Sequence, residues 1–258
     1  MLEIYGEKIN SHLIIGTARY PSLNILKEAI IASNSSIVTL ALRRLSPEKK
    51  EKNNFWETIK ELNVKILPNT SGCYDAKNAI KTAFLARELF GTNWIKLEIF
   101  GDSYTLQPNP FELLKATEEL IKNNFCVFPY MTDDLILAKE LVNLGCEVLM
   151  PWGAPIGSGK GIINPYHLKI MRQRFPNIKI IIDAGIGAPS DAAFAMELGM
   201  DAVLLNSAIA QAFEPTPMAK AFALAVESGR IAYQSGIMPE SDLAQASSPI
   251  QGVPFYHV

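Results

Sequence analysis

The sequence predicts a single-domain (β/α)8 barrel, or TIM barrel, and three observations support this prediction. The chain has 258 residues, a usual length for the fold. Short runs rich in Val, Ile and Leu alternate with longer amphipathic segments, as expected for parallel strands that are covered on both faces. There are eight such runs, whereas an open doubly wound sheet usually has fewer strands and a glycine fingerprint after the first one.

The predicted strands are short apolar runs spread along the whole chain. Most of them are rich in β-branched residues and leucine, which suits strands buried on both faces. In chain order they are His12–Gly16, Ser36–Leu42, Val64–Leu67, Trp94–Ile99, Cys126–Tyr130, Glu147–Met150, Ile178–Asp183 and Ala202–Asn206.

Amphipathic segments between the strands are the predicted helices. The clearest are Asp75–Phe90, Pro110–Asn123, Asp133–Leu144, Pro165–Arg174, Ser190–Leu198 and Pro217–Glu227. Several begin with residues that cap or start helices, namely Asp75, Asn109-Pro110, Thr132-Asp133-Asp134, Asn164-Pro165 and Ser190-Asp191. Gly145 and Gly199 stand where helices are expected to end.

Three segments lie outside this alternation, and none of them divides the single domain of residues 1–258. Residues 1–11 are an N-terminal extension, in which Met1–Ile9 is expected to be a short extra strand or a plug. The charged segment Ser46–Phe55 is expected to be a solvated helix start or a loop. Residues 228–258 are polar and punctuated by Gly, Ser and Pro, so they predict a C-terminal tail that is either loose or partly ordered as a lid.

Composition argues against several classes of function. Lys and Arg total 24 against 26 Asp and Glu, a formal net charge of −2, so no strong field would attract nucleic acid or an anionic membrane. The apolar runs are far shorter than the roughly 20 residues that span a bilayer, and the start of the chain has no apolar signal core. Three cysteines, an odd number, favour a reducing compartment, and the histidines have no ligand spacing. We therefore expect a cytoplasmic protein that binds no metal.

The fourth predicted strand places a lysine and a glutamate inside the barrel. Side chains alternate along a strand, so Lys96 and Glu98 share one face while the aliphatic Ile95 and Leu97 must face the helices. The carboxylate of Glu98 would then lie one pleat above the lysine, about 6–7 Å along the strand. Active sites of this fold are built at the C-terminal ends of the strands, so both residues are candidates for catalysis.

An interior lysine has two interpretations, and this strand alone does not decide between them. Burial disfavours the charged form and would lower the pKa of Lys96 from about 10.4. A lysine that is neutral part of the time can attack a carbonyl carbon, as Schiff-base catalysis requires. The alternative is a buried Lys96–Glu98 ion pair that only fills the barrel.

Three loops at the same end of the barrel predict a site for a phosphorylated ligand. Asp183 ends the seventh strand, and Gly185 and Gly187 leave backbone N–H groups open to a ligand. The eighth strand runs into a helix start, and loops after these two strands form the usual phosphate site of the fold. The loop after the sixth strand, residues 151–161, contains enough glycine to wrap a phosphate. One such loop would be an ordinary βα turn, but three together favour a phosphorylated ligand.

The candidate residues together indicate imine chemistry on a sugar phosphate. Lys96 would capture a ketone or an aldehyde, and Glu98 and Asp183 would move protons. This reasoning does not say which reaction follows. A Schiff-base aldolase that cleaves a carbon–carbon bond fits these residues, and so does a non-catalytic sugar-phosphate sensor in which Lys96 is a structural ion pair.

Six segments of the chain carry a resemblance to a known family. They are residues 16–20 (GTARY), 69–73 (NTSGC), 94–98 (WIKLE), 150–159 (MPWGAPIGSG), 183–187 (DAGIG) and 206–210 (NSAIA). In this combination they resemble thiazole synthase of thiamin biosynthesis, and the likeness covers nearly the whole chain. The departures are small: Ser207 stands where Thr is expected, and Trp152 where Leu is expected.

The resemblance implies an enzyme that joins 1-deoxy-D-xylulose 5-phosphate, dehydroglycine and sulfur into a thiazole phosphate carboxylate. Lys96 matches the Schiff-base lysine of the family, and Glu98 and Asp183 match its proposed acid–base carboxylates. The loops and the resemblance together give the residues expected to bind the substrate and its phosphate: Gly157, Ser158, Gly159, Ala184, Gly185, Gly187, Asn206 and Ser207.

The resemblance also implies partners and a source of sulfur. Sulfur is expected as the C-terminal thiocarboxylate of a small ubiquitin-like carrier protein. Dehydroglycine is expected from a glycine oxidase or a tyrosine lyase, which is a further candidate partner. The family uses no metal or organic cofactor of its own and is homo-oligomeric, as a homotetramer. Cys73 has no basic residue next to it in sequence to lower its pKa, so we assign it to loop packing and not to sulfur transfer.

Overall fold

A computed structural model describes residues 2–42 and 51–248, with side chains of the second range described from residue 55 onward. The strands are β1 (Leu2–Ile4), β2 (Glu7–Ile9), β3 (Leu13–Gly16), β4 (Ile37–Ala41), β5 (Lys65–Asn69), β6 (Trp94–Leu97), β7 (Cys126–Met131), β8 (Val148–Pro151), β9 (Lys179–Asp183) and β10 (Ala202–Leu205). The helices are α1 (Leu23–Ser33), α2 (Glu51–Glu61), α3 (Ala76–Phe90), α4 (Pro110–Lys122), α5 (Leu135–Asn143), α6 (Pro165–Arg174), α7 (Pro189–Glu197), α8 (Ser207–Ala210) and α9 (Pro215–Ser235).

The last eight strands are parallel and close into a barrel in the order β10-β3-β4-β5-β6-β7-β8-β9, so the predicted (β/α)8 fold is confirmed. The ring closes where β10 pairs with β3, with Val203 beside Leu13 and Leu205 beside Ile15. All eight predicted strands are present, and their ends differ from the prediction by at most two residues. Helices connect the strands because parallel neighbours need a crossover.

Side chains of the barrel strands alternate between the helices and the barrel interior. On β6, Ile95 and Leu97 belong to the large apolar cluster between strands and helices. Trp94, two residues before Lys96, lies in the separate cluster inside the barrel together with Phe128 of β7. The same alternation turns the Lys96 side chain inward, as the sequence predicts.

The N-terminal extension is an antiparallel hairpin made of β1 and β2, in which Leu2 pairs with Ile9. Leu2, Ile4 and Ile9 are almost fully buried in the cluster inside the barrel. The hydroxyl of Tyr5 donates a hydrogen bond of 2.6 Å to the carbonyl oxygen of Val127, near the start of β7. The extension therefore plugs the N-terminal end of the barrel, with two strands where one was expected.

The last long helix extends further than the sequence predicted. Helix α9 continues to Ser235, so residues 228–235 of the expected tail are helical. A Cβ atom at Gly229 would lie 2.3 Å from the carbonyl oxygen of Ala193 in α7, so glycine lets the two helices pack closely there. Residues 236–248 are exposed and not helical, and residues 249–258 lie outside the described part of the chain. No helix within the described ranges is long and apolar enough to cross a membrane.

The six predicted helices begin within two residues of their expected starts. Helix α7 begins at Pro189, not at Ser190, and Asp191 supplies the cap. Its carboxylate accepts hydrogen bonds from the amides of Gly187 at 3.0 Å and Ala188 at 2.9 Å. In the charged segment Ser46–Phe55, residues 46–50 lie outside the described residues and residues 51–55 belong to α2, so the described part is a helix start.

Candidate active site

Lys96, Glu98 and Asp183 form a buried triad of charges at the C-terminal ends of the strands. The Lys96 Nζ atom lies 2.8 Å from Oε1 of Glu98 and 2.6 Å from Oδ2 of Asp183. Each side chain is at most 5% exposed. Apart from this ion pair, Oδ2 of Asp183 has no hydrogen-bond partner among the described residues. The triad brings one amine and two carboxylates within contact distance, with little of any of the three side chains exposed.

The two carboxylates decide the charge of the lysine. Burial lowers the pKa of Lys96, but the charges of Asp183 and Glu98 raise it more, so the pKa lies above its ordinary value. The expectation that burial leaves this lysine partly neutral is therefore wrong for the free protein. Burial raises the pKa of Asp183 to about 6, against the lowering effect of Lys96 and with a further rise from Glu98. Asp183 is thus a carboxyl group that exchanges its proton near neutral pH.

Glu98 lies just beyond the end of β6, where Thr70 holds its backbone from both sides. The Thr70 hydroxyl donates to the carbonyl oxygen of Glu98 at 2.8 Å and accepts from the Glu98 amide at 2.8 Å. The amide of Thr70 also donates to the carbonyl oxygen of Lys96 at 3.2 Å. This fully buried threonine positions the triad, and sequence reasoning missed that role. The available signal was its place in segment 69–73, which carries the family resemblance.

A cavity of about 600 Å³ lies over the triad. Every residue predicted for the site lines it, so the structure brings the whole predicted set together. The set consists of Lys96, Glu98, Asp183, Gly157, Ser158, Gly159, Ala184, Gly185, Gly187, Asn206 and Ser207.

The loops after β8 and β9 interlock, and glycine is required where they touch. A Cβ atom at Gly185 would lie 2.3 Å from the amide nitrogen of Ala154, and one at Gly187 would lie 2.4 Å from the carbonyl oxygen of Gly159. The amide of Gly161 donates a hydrogen bond of 2.8 Å to the carbonyl oxygen of Gly185, which connects the two loops. The two glycines after β9 therefore form one wall of the cavity by close packing.

The predicted ligand-binding residues are not equally free to hold an anion. The hydroxyl oxygen of Ser158 is buried and has no hydrogen-bond partner among the described residues, so it can donate to a ligand. The amide of Gly187 already donates to Asp191. Oδ1 of Asn206 already accepts from the amide of Ala18 at 3.1 Å. Asn206 thus also braces the loop after β3.

That loop and its neighbours complete a rim that sequence reasoning did not assign to the site. Arg19 lines the cavity with its backbone in the left-handed region at φ 65°, which is uncommon for a residue other than glycine. Thr39 and Asn69 line the cavity from β4 and β5. The side-chain amide of Asn69 donates a hydrogen bond of 3.2 Å to the Thr39 hydroxyl. Arg19 and Asn69 belong to segments that carry the family resemblance, which was the available signal.

Cys73 lies close to this end of the barrel but outside the set of residues that line the cavity. Its thiol is buried, and the sulfur lies 3.7 Å from the hydroxyl oxygen of Thr82 in α3. Its backbone amide donates to the carbonyl oxygen of Thr70, and its own carbonyl oxygen accepts from the amide of Phe100. These contacts are consistent with a packing role in the loop.

Comparisons with known proteins agree with the fold and show the family. The family model described as thiazole biosynthesis protein ThiG matches residues 3–249. Thiazole synthases of Brucella canis and Brucella anthropi are 57% and 56% identical over 255 residues, or 99% of this chain and 100% of each relative. A chain of the solved BexX/CysO complex of Amycolatopsis orientalis is 26% identical with a TM-score of 0.84, covering 94% of this chain and 98% of that chain. This chain therefore belongs to the ThiG family and is an enzyme of thiazole formation in thiamin biosynthesis.

Proposed function

We propose that this enzyme captures 1-deoxy-D-xylulose 5-phosphate as an imine on Lys96 and builds the thiazole on that imine. The observation that carries the proposal is the buried triad, in which one primary amine lies within 3 Å of two carboxylates. Imine chemistry needs an amine that can lose a proton and groups that can move protons nearby, and the triad supplies both.

Imine formation begins with a proton transfer inside the triad. The Lys96 ammonium has no lone pair, so it must first give a proton to a carboxylate, and the raised pKa makes Asp183 the better acceptor. The neutral Nζ atom then adds to the ketone carbon of the sugar phosphate. The ketone oxygen takes up protons and leaves as water, and a protonated C=N bond remains. The condensation therefore releases one water molecule and leaves the substrate covalently bound to Lys96.

The protonated imine acts as an electron sink for the next steps. It acidifies the neighbouring C–H bond, so one carboxylate removes that proton and a second proton is returned to the former ketone carbon. The carbonyl group thereby moves one carbon along the chain, where it can accept sulfur from the carrier. General acid–base help of this kind contributes roughly 10²–10⁴ in rate. The carrier leaves as a carboxylate that takes the oxygen of the migrated carbonyl group. Dehydroglycine then closes the ring with loss of water, and its nitrogen replaces the Lys96 amine on the sugar carbon, so the free lysine is regenerated.

The loops after β8, β9 and β10 are the proposed cradle for the phosphate. The unpartnered hydroxyl of Ser158 is one donor, and Gly157 leaves space beside the hydroxyl of Ser207, which lies 4.0 Å from where a Cβ atom at Gly157 would be. Small residues in such loops let backbone amides approach an anion.

A thiocarboxylated carrier protein is the proposed sulfur donor. A chain with this fold was solved in the BexX/CysO complex, which supports binding of a second protein by such a barrel. The extended C-terminal tail of the carrier would reach the triad through the open face of the cavity. A homo-oligomeric assembly and a cytoplasmic location remain predictions from the sequence.

The decisive experiment combines borohydride trapping with carrier consumption. Reduction in the presence of the sugar phosphate should leave a mass adduct on the peptide that contains Lys96. Adding thiocarboxylated carrier and dehydroglycine without borohydride should consume the carrier and form thiazole. An adduct on another lysine, or none, would contradict the proposed role of Lys96. An adduct at Lys96 without carrier consumption would instead favour aldolase chemistry.

A further inference from the structure

The hydroxyl of Tyr130 is a buried polar group that the mechanism above does not use. Tyr130 is completely buried, and its hydroxyl oxygen has no hydrogen-bond partner among the described residues. Tyr130 lies on the same face of β7 as Phe128, and that face points into the barrel. Its ring lies beside the triad, with the Lys96 Nζ atom 5.7 Å from the ring centroid. A buried donor without an acceptor is costly, so this feature requires an explanation.

The surroundings of Tyr130 keep it a neutral donor. Burial raises the pKa of its phenol, and the charges of Asp183 and Glu98 raise it further. The titratable groups that face Asp183 are Lys96 on β6, Glu98 just after β6, and Tyr130 on β7. Oδ2 of Asp183 has Lys96 as its one described partner, so the site contains both an unused donor and a carboxylate with a single cationic contact.

Imine formation removes the hydrogen-bond donors on which the two carboxylates depend. The Lys96 ammonium has three N–H bonds and serves Glu98 and Asp183 at the same time. A protonated imine has one N–H bond, so it can serve only one carboxylate. The other carboxylate then needs a new donor, because a buried carboxylate without one is strongly disfavoured.

We propose that Tyr130 is a positioning residue whose hydroxyl donates to Asp183 once Lys96 has become an imine. The inference rests on the proposed imine at Lys96. Tyr130 acts through Asp183 and does not touch the substrate. Its hydrogen bond keeps Asp183 ionised and oriented toward the C–H bond of the imine. In the free enzyme Lys96 fills that role, which explains why the phenol has no acceptor there.

The test compares Tyr130→Phe with Tyr20→Phe. The Tyr20 hydroxyl is also buried without a partner among the described residues, but the residue packs against the apolar clusters near α1 and α2 and does not line the cavity. Neither substitution should lower the melting temperature, since each removes a buried hydroxyl that has no partner in the free enzyme. Borohydride trapping at Lys96 should survive in both variants.

The readout specific to the proposal is exchange of the C–H proton next to the imine with deuterated solvent. Tyr130→Phe should slow this exchange by about 10- to 100-fold, within the range of acid–base contributions. Loss of a hydrogen bond to Asp183 should also raise the pKa of that carboxyl in the imine, so the acidic limb of the exchange profile should move about one pH unit higher. Tyr20→Phe should match the wild type in both respects.

Each remaining outcome decides against the inference. If Tyr130→Phe has the same C–H exchange rate and the same pH profile as the wild type, the phenol hydroxyl has no role in positioning Asp183. Loss of trapping in Tyr130→Phe would show that the residue acts before the imine forms. Both results would leave the proposed function intact, whereas the absence of any adduct at Lys96 in the wild type would overturn the proposed function and this inference together.

Discussion

The Nζ atom of Lys96 lies 2.6 Å from Oδ2 of Asp183, although the two residues come from β6 and β9, which are separated by two strands in the barrel wall. This contact links their protonation states. The carboxylates of Asp183 and Glu98 hold the pKa of Lys96 above its ordinary value, against the effect of burial. In the proposed mechanism, Lys96 must therefore give a proton to a carboxylate before its nitrogen can attack a carbonyl group.

Turnover should fall as the pH drops below about 6, where Asp183 becomes protonated. A protonated Asp183 cannot take the proton of Lys96, so both imine formation and the later C–H step lose their base. The rate of borohydride-trapped adduct formation, measured between pH 5 and pH 8, should show this acidic limb. Asp183→Asn should be slow at every pH and lack the limb. A rate that is independent of pH across this range would argue against Asp183 as the acceptor.

Lys96→Ala should destabilise the fold most strongly at high pH. It leaves Glu98 and Asp183 buried without a counterion, and breaking a buried pair in this way costs about 3–5 kcal/mol. Without the lowering effect of Lys96, the pKa of Asp183 then rises further above its unfolded value, so the folded state gains stability as the pH falls and loses it as the pH rises. Urea unfolding at pH 5 and pH 8 measures the difference.

Lys96→Arg is the matched control for that variant. Arginine keeps the positive charge, so it should lose less stability than alanine and show a weaker dependence on pH. It should nonetheless give no borohydride adduct, because the guanidinium stays protonated and cannot add to a ketone. Equal unfolding free energies for the two variants at both pH values would mean that the charge of Lys96 does not stabilise the triad.

Gly157→Ala should weaken binding of the sugar phosphate by roughly tenfold, which corresponds to about 1.4 kcal/mol. The added methyl group would lie beside Ser207 in the cradle. Gly157 has φ 73°, so alanine there also costs about 1–2 kcal/mol of folding stability. Gly91→Ala at the end of α3, with φ 62° and no atom within 4 Å of the new methyl group, controls for that backbone cost. Equal substrate affinity in the two variants would move the phosphate elsewhere.

Cys73→Ser should retain most thiazole formation when thiocarboxylated carrier is supplied. The serine hydroxyl can replace the thiol beside Thr82, so the loop should keep its conformation with only a small loss of stability. Activity assays with thermal unfolding of the same preparation separate folding from chemistry. A variant that folds normally and makes no thiazole would implicate Cys73 in a persulfide relay.

The barrel and two of the three triad residues follow from patterns within single strands. Side chains alternate between the two faces along residues 94–98, which turns Lys96 and Glu98 inward. This pattern can be recognised in one segment of the sequence without knowledge of its neighbours. The contact with Asp183 was not predicted, because it depends on how three further strands curve around the barrel. The expected fall in the pKa of Lys96 was wrong for the same reason: the sequence assigned both carboxylates to the site, but not the short distances at which their charges outweigh burial.

Helix ends were harder to predict where close packing decides them. Residues after Glu227 are polar enough to suggest a tail, yet Gly229 fits against the backbone of α7 and extends α9 to Ser235. The start of α7 likewise depends on the Asp191 carboxylate, which reaches back to the amides of Gly187 and Ala188. Such contacts are visible only once the neighbouring elements are in place.

The N-terminal hairpin gives the barrel a closed floor, with Ile4 and Ile9 sealed into the interior. In the proposed function, small molecules and the carrier tail then share the opposite opening. The sugar phosphate has to reach Lys96 before the tail occupies that opening, and the product can leave only after the tail has withdrawn. We therefore expect a compulsory order of addition, with unmodified carrier at high concentration inhibiting competitively against the sugar phosphate. Random-order kinetics would show that ligands pass the carrier tail within the cavity.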